Sequence, residues 1–220
     1  MIAVTFALPA ESSDFARRLR EVQDKEIKIL HTGVGAKVCR TRIQDFLQDA
    51  SYDLVISSGF AGAVRDDFQV GDLFLAENFS DTQLLSVVRR VLANQPLRVA
   101  KLLTSSRMID SLAERTALAQ ASGAAAVDME TEVIAAECEA RGVPLLSLRV
   151  ISDPPRQPLP AAPDVLFNMA RQQTDFARIF FHLLRTPATI PRMIRFARQI
   201  KEARSSLSDA LIALLQSDIR

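Results

Sequence analysis

The sequence has little of what metal centres and disulfide scaffolds need. Cys39 and Cys138 are its only cysteines, and His31 and His182 its only histidines. Two cysteines cannot build a disulfide framework, and two histidines leave no zinc-ligand cluster, so neither a metal nor another cofactor is expected. Such cysteine usage suits a reducing, cytoplasmic compartment. An excess of one charge is missing too. The 27 Lys+Arg against 26 Asp+Glu leave a net +1, which excludes nucleic-acid binding through global charge. No uncharged apolar run approaches the roughly 18–20 residues that span a bilayer. Met1–Glu11 lacks the basic start of a secretory signal. There is no internal repeat and no low-complexity segment. The seven glycines form neither a G-x-G-x-x-G fingerprint nor a G-x-x-x-x-G-K-[ST] phosphate loop.

What remains is a soluble globular composition: 220 residues, 48% hydrophobic and 24% charged, enough for one large domain or two small ones. Short apolar runs alternate with amphipathic stretches. Met1–Leu8 reads as a strand, and Pro9 and Glu11 suit the first turn of a helix reaching about Val22. Glu26–Thr32 is a second strand, followed by Gly33-Val34-Gly35 and a helix to about Gln48. Leu54–Ser58 is a third, ending at a turn Gly59-Phe60-Ala61-Gly62. Phe68–Asn78 is strand-like, Thr82–Leu92 helical, and Leu97–Leu103 strand-like again. Ala124–Val127 leads into a helix from Glu130 to Arg141. Pro144–Ile151 reads as a buried parallel strand. This alternation predicts an α/β fold around a central sheet. Five of the ten prolines fall between Pro154 and Pro163, marking a stiff loop. Residues 1–163 are therefore expected to form the α/β domain. Residues 164–220 read as helices only, a C-terminal extension packed on that domain.

Three acids stand where the predicted strands end. Glu11 begins a helix, whose dipole favours its ionised form. Glu130 follows Val127-Asp128-Met129, and Asp153 follows the apolar run Leu145–Ser152. Each alone reads equally well as a first-turn acid or a turn starter. Together, beside two glycine turns that let a ligand approach backbone closely, they form an active-site layout. His31 and the two cysteines read as packed structural residues.

The ordered set Thr32-Gly33-Val34-Gly35, Ser57-Ser58-Gly59-Phe60-Ala61-Gly62 with Val70-Gly71-Asp72, Val127-Asp128-Met129-Glu130, and Arg149-Val150-Ile151-Ser152-Asp153 resembles the nucleoside phosphorylase superfamily. Within it, the set is most similar to the methylthioadenosine/S-adenosylhomocysteine nucleosidase branch. A narrower likeness, carried by Ser152-Asp153-Pro154, Leu159-Pro160 and Leu184-Arg185-Thr186-Pro187, is to the hopanoid-associated phosphorylases, thought to remove adenine from adenosylhopane. The resemblance implies a three-layer α/β domain with a mixed sheet, a homodimer, and N-glycosidic cleavage of an adenosine-type nucleoside. By the same resemblance Asp153 would protonate the purine at N7, and Glu11 would deprotonate the attacking water. Glu130 would bind the ribose hydroxyls with Met129 under the sugar. Gly33, Gly35 and Gly59 would line the sugar and nucleophile site. Arg149 and Ser152 would support Glu11 and Asp153, and Met108 and Ile109 would replace the aromatic that stacks on adenine. The short segment between Asp72 and Leu103 departs from the nucleosidase pattern and suits a bulky 5′ substituent.

Water is favoured over phosphate as nucleophile, since the glycine turns offer no cation but Lys37 before Arg65, and phosphate needs fixed cations. The competing class is a catalytically silent nucleoside-binding or membrane-partner protein. From Phe176 to Lys201 there are six basic residues and no acid. That is the pattern of a helix packed on its own domain or of one lying on a lipid surface.

Overall fold

Alternate residues of the first strand bury on opposite sides, and this period of two builds the molecule in three layers. Within β1 (Ile2–Phe6), Ile2, Val4 and Phe6 enter one apolar cluster and Ala3 another. Along β3 (Leu54–Ala63), Leu54 and Ile56 join the first cluster and Val55 the second. The computed structural model describes residues 1–21, 27–157, 159–168, 172–174, 176–217 and 219.

The remaining strands of the eight-stranded sheet are β2 (Ile27–His31), β4 (Leu73–Ala76), β5 (Leu97–Ala100), β6 (Leu102–Thr104), β7 (Ala126–Asp128) and β8 (Leu145–Asp153). Their order is β2-β1-β3-β8-β4-β5, with β7 on the far end of β3 and β6 on β7. β2, β1, β3 and β8 run parallel, while β4 is antiparallel to β8 and β7 to β3. The sheet is thus mixed, as expected. One face is covered by α1 (Pro9–Leu19), α3 (Thr82–Val91) and α8 (Ile190–Gln216), through Phe15, Val88, Leu207 and Leu211. The other is covered by α2 (Ala36–Gln48) and α5 (Thr131–Glu139), through Ile43, Leu47, Val133 and Ile134. Full burial of each such side chain contributes roughly 1.5–3 kcal/mol.

The structure corrects several expectations. Gly59-Phe60-Ala61-Gly62 is no turn after a strand but the second half of β3, paired with β8 throughout. A register shift between Ala61 and Gly62 lets the strand bend there, continue, and take β7 as a further partner. Phe68–Asn78 is strand only over Leu73–Ala76, because Gln69–Asp72 closes a turn. Leu97–Leu103 is two strands that change partner from β4 to β7. A helix not anticipated, α4 (Leu112–Ser122), precedes β7. The tail is not helical only. After α6 (Pro163–Leu166), β9 (Phe167–Asn168) pairs antiparallel with β10 (Gln173–Thr174), before α7 (Phe176–Arg185) and a 3-10 turn at Pro187–Thr189.

Candidate active site

Glu11 lies in the first turn of α1, which starts at Pro9 directly after β1. Its carboxylate accepts from the Ala7 amide at 3.1 Å. A Cβ at Gly59 would sit 2.7 Å from Glu11 Oε2 and 2.8 Å from Arg149 Nη1. Gly59 also holds φ +142°, a conformation that L side chains rarely adopt. The missing side chain at position 59 is therefore the space in which Glu11 and Arg149 meet. The helix start does favour the Glu11 carboxylate through backbone bonds, as expected. Burial outweighs it, and with the nearby Glu130 carboxylate pushes Glu11 up to about 8, Arg149 opposing. Glu11 is thus largely protonated at neutral pH, contrary to the expectation from the helix dipole alone.

Glu130 caps the start of α5 and is buried. The Gly35 amide donates to its Oε1 at 2.9 Å, which joins the first glycine turn to the second acid. Burial, and then Asp128, raise Glu130 to about 7, with the Gly35 bond and Arg149 opposing. Behind it Asp128 and Arg149 form an ion pair at 3.0 Å, each side chain almost wholly enclosed. Asp128 also accepts from Thr104 at 2.8 Å, and Arg149 donates to Ser57 at 2.7 Å and Thr131 at 2.6 Å. Losing one partner of such a pair costs roughly 3–5 kcal/mol. Arg149 Nε has no hydrogen-bond partner among the described residues. Arg149 is thus the one cation shared, through space, by Glu11 and Glu130.

Asp153 ends β8. The β3–β8 register sets Gly59 opposite Arg149 and Gly62 opposite Asp153. Three residues of strand separate the two ends of the site by about 10 Å, the scale of a nucleoside. Ser152 donates to Asp153 Oδ1 at 2.5 Å. Asp153 Oδ2 pairs with the buried Arg115 guanidinium, which also donates to the Asp153 carbonyl at 2.9 Å and to the carbonyls of Ala63 and Ile109. A Cβ at Gly62 would lie 3.0 Å from Asp153 Oδ2. Asp153 is therefore held by a cation rather than isolated at the end of an apolar strand, the arrangement the sequence suggested.

The other predicted residues distribute around these three. Gly33 carries the turn before α2, and the Gln172 side chain spans Val34, accepting from its amide at 2.5 Å and donating to its carbonyl at 3.2 Å. Met129 stands partly buried between Asp128 and Glu130. Ile109 spends its side chain on a small cluster with Val64 and Val127, and meets the site only through its carbonyl on Arg115. Met108 is 40% exposed. Lys37 is exposed at the start of α2. His31 bonds Ser12 at 2.8 Å, and Cys39 and Cys138 are buried thiols pushed up to about 12, packed as structural residues. Arg115 and Gln172 are the residues that sequence reasoning missed. Arg115 had a findable context: Ser111 accepts from the Glu114 amide and Gly123 closes the helix in the left-handed conformation, a start-and-stop signature for α4.

Among the described residues no group of acids, histidines and cysteines could hold a metal ion. The Phosphorylase superfamily model matches residues 77–185, from the end of β4 through α7 and so across Glu130, Arg149 and Asp153. Over that stretch the chain is similar to the phosphorylase superfamily. A 5′-methylthioadenosine/S-adenosylhomocysteine nucleosidase of Actinobacillus succinogenes is 28% identical over 161 residues, 60% of this chain and 70% of that protein. The Staphylococcus aureus nucleosidase of the same description is 24% identical over the same shares. Among solved structures, the Helicobacter pylori 5′-methylthioadenosine/S-adenosylhomocysteine nucleosidase superposes with TM-score 0.72 at 15% identity, covering 98% of this chain and 97% of that one. Native futalosine hydrolase of Helicobacter pylori gives 0.71 at 15%, with the same coverage. At that identity these structures speak for the fold alone.

Proposed function

We propose that the protein is a purine nucleosidase that hydrolyses the N-glycosidic bond of a 5′-modified adenosine-type nucleoside and releases adenine. The observation that carries this reading is the spacing of the carboxylates. Glu11 and Glu130 gather at Gly59 and Gly35, and Asp153 stands about 10 Å along the β3–β8 ladder. In this reading the purine edge meets Asp153, the ribose hydroxyls meet Glu130, and water sits against Glu11 on the opposite face of the sugar. As the glycosidic bond breaks, positive charge develops on the sugar, and the enclosed acids stabilise it. The bond's electron pair leaves with the base. Asp153, protonated from solvent before the step, gives that proton to N7, and Arg115 steadies the carboxylate that remains. Water adds to the anomeric carbon and its proton passes to Glu11. The products are adenine and a sugar with a free anomeric hydroxyl. After product release Glu11 returns its proton to solvent and Asp153 takes one up.

The relatives at 24–28% identity are described as nucleosidases of 5′-methylthioadenosine and S-adenosylhomocysteine, which supports an adenosine-type substrate with a 5′ substituent. The short segment between Asp72 and Leu103 supports a bulky one, and adenosylhopane is the first such nucleoside to try. We also assign a homodimer, from the resemblance. Arg149 is the one enclosed cation near Glu11, and it is already paired with Asp128, which supports water over phosphate. Adenine release is to be followed with and without phosphate. The hydrolase reading expects equal rates and a reducing sugar. A rate that depends on phosphate, with ribose 1-phosphate-type product, would overturn it.

A further inference from the structure

α7 and the start of α8 carry an apolar surface that the protein does not cover. On α7, Ile179 and Leu183 turn partly inward, while Phe180, Phe181 and Leu184 are 59%, 58% and 63% exposed. The two phenylalanine rings meet each other edge on, at 5.9 Å. After the 3-10 turn, Ile190 and Ile194, one helical turn apart on α8, are 40% and 50% exposed. Only from Ala203 onward does α8 bury its apolar side, in the cluster under β1, β3 and β8. The second half of α8 lies against the body, while α7 and the first two turns of α8 leave apolar side chains uncovered.

The charge within this segment has one sign. Between Phe176 and Lys201 the chain has Arg178, Arg185, Arg192, Arg195, Arg198 and Lys201 and no acid. Arg185, Arg192, Arg195 and Arg198 are exposed and take part in no ion pair among the described residues. A two-fold contact with a second copy would lay these cations against one another with no carboxylate from the segment itself to offset them. A surface that is itself negative, and soft enough to accept phenylalanine and leucine side chains, complements both features. Arginines beside such a helix reach the headgroups while their neighbours enter the acyl boundary.

We propose that α7 and the start of α8 dock the protein on an anionic phospholipid surface. No helix among the described residues is long and apolar enough to cross a membrane, so the attachment is peripheral. It does not depend on which nucleoside the active site cleaves.

The test uses the full chain and sedimentation with vesicles of phosphatidylcholine containing 30 mol% phosphatidylserine, against vesicles of phosphatidylcholine alone. The expected result is at least ~10-fold stronger partition onto the anionic vesicles, falling steeply between 0.1 and 0.5 M NaCl. The pair Phe180→Ser and Leu184→Ser should cut that partition at least ~10-fold. The exposed pair Arg185→Gln and Arg195→Gln should cut it about 5-fold per charge, and carries the test if the first pair melts early. Equal partition onto both vesicle types, no partition at all, or unchanged partition of variants that melt like wild type would each overturn the proposal. So would an analytical ultracentrifugation result in which the Phe180→Ser and Leu184→Ser pair splits a dimer, since a second copy would then own this face.

Discussion

Glu11 and Glu130 are two carboxylates enclosed together and steadied by one shared guanidinium, and their protonation follows from that crowding. Burial, with repulsion from Glu130, raises Glu11 to about 8, and burial, with repulsion from Asp128, raises Glu130 to about 7, both from 4.5. The folded protein therefore keeps protons that the unfolded chain releases above about pH 4.5. Across that window the unfolded state binds fewer protons, so stability falls as pH rises, until both groups are ionised just above pH 8. Glu11→Gln removes the larger of these titrations, a stabilisation on the order of a few kcal/mol at high pH. Its melting temperature should exceed that of the wild type by roughly 5–10 °C at pH 8.5, and the gap should close toward pH 5. Because water activation needs the Glu11 carboxylate, wild-type kcat/KM should climb toward pH 8, and Glu11→Gln should lose at least ~10²-fold in hydrolysis. A flat pH profile would separate Glu11 from the reaction. Arg115 makes a second residue-scale case. Arg115→Met leaves Asp153 and the carbonyls of Ala63 and Ile109 without their donor. A fall in kcat of about 10–10²-fold is expected. A fall in kcat at little-changed KM, partly rescued by Arg115→Lys and read on variants that melt like wild type, would separate positioning of Asp153 from simple destabilisation.

At the scale of elements, β3 explains what the sequence could and could not disclose. Apolar alternation over Leu54–Ser58 marks the strand, and the glycines mark something unusual after it. Glycine reads as a turn, yet here it serves close approach. The strand runs on because Glu11 and Arg149 occupy the volume of one missing Cβ, and Asp153 crowds another at Gly62. Gly59→Ala should therefore displace Glu11 or Arg149 and strain φ. Loss of activity comparable to Glu11→Gln is expected, with a lower melting temperature; full activity would mean that the contact at Gly59 is not part of the site. The same logic applies to the acids. Their positions at strand and helix ends were legible from pattern. Their pairing with Gly35, Arg149 and Arg115 was not, because those contacts join segments far apart in the chain. α4 was overlooked although its capping box and closing glycine are local. The β9–β10 pair has two-residue strands, too short for a periodic signal.

At the scale of the whole molecule, the sheet divides labour between its two halves. One half of the β3–β8 ladder is wrapped by α1 and the end of α8, where Leu207, Leu211 and Leu214 leave water altogether. The other half carries Glu130 and Asp153, and the first turn of α1 brings Glu11 to it at Gly59. The chain's C-terminal helix thus anchors the body with its last turns and offers an uncovered, basic apolar surface with its first. The central sheet followed from alternation and the three layers and mixed strands from the resemblance, while the partition of α8 into a packed and an exposed part emerges only in the folded structure. The central claim is that Glu11, Glu130 and Asp153 act as one nucleoside site along this ladder. It is tested most directly by a crystal structure with a non-hydrolysable adenosine analogue. The account predicts the purine edge on Asp153 and the sugar hydroxyls on Glu130, with the anomeric carbon facing Glu11. An analogue bound instead in the open groove lined by Phe68, Val70, Pro154, Arg156 and Glu202, with the three carboxylates untouched, would contradict it.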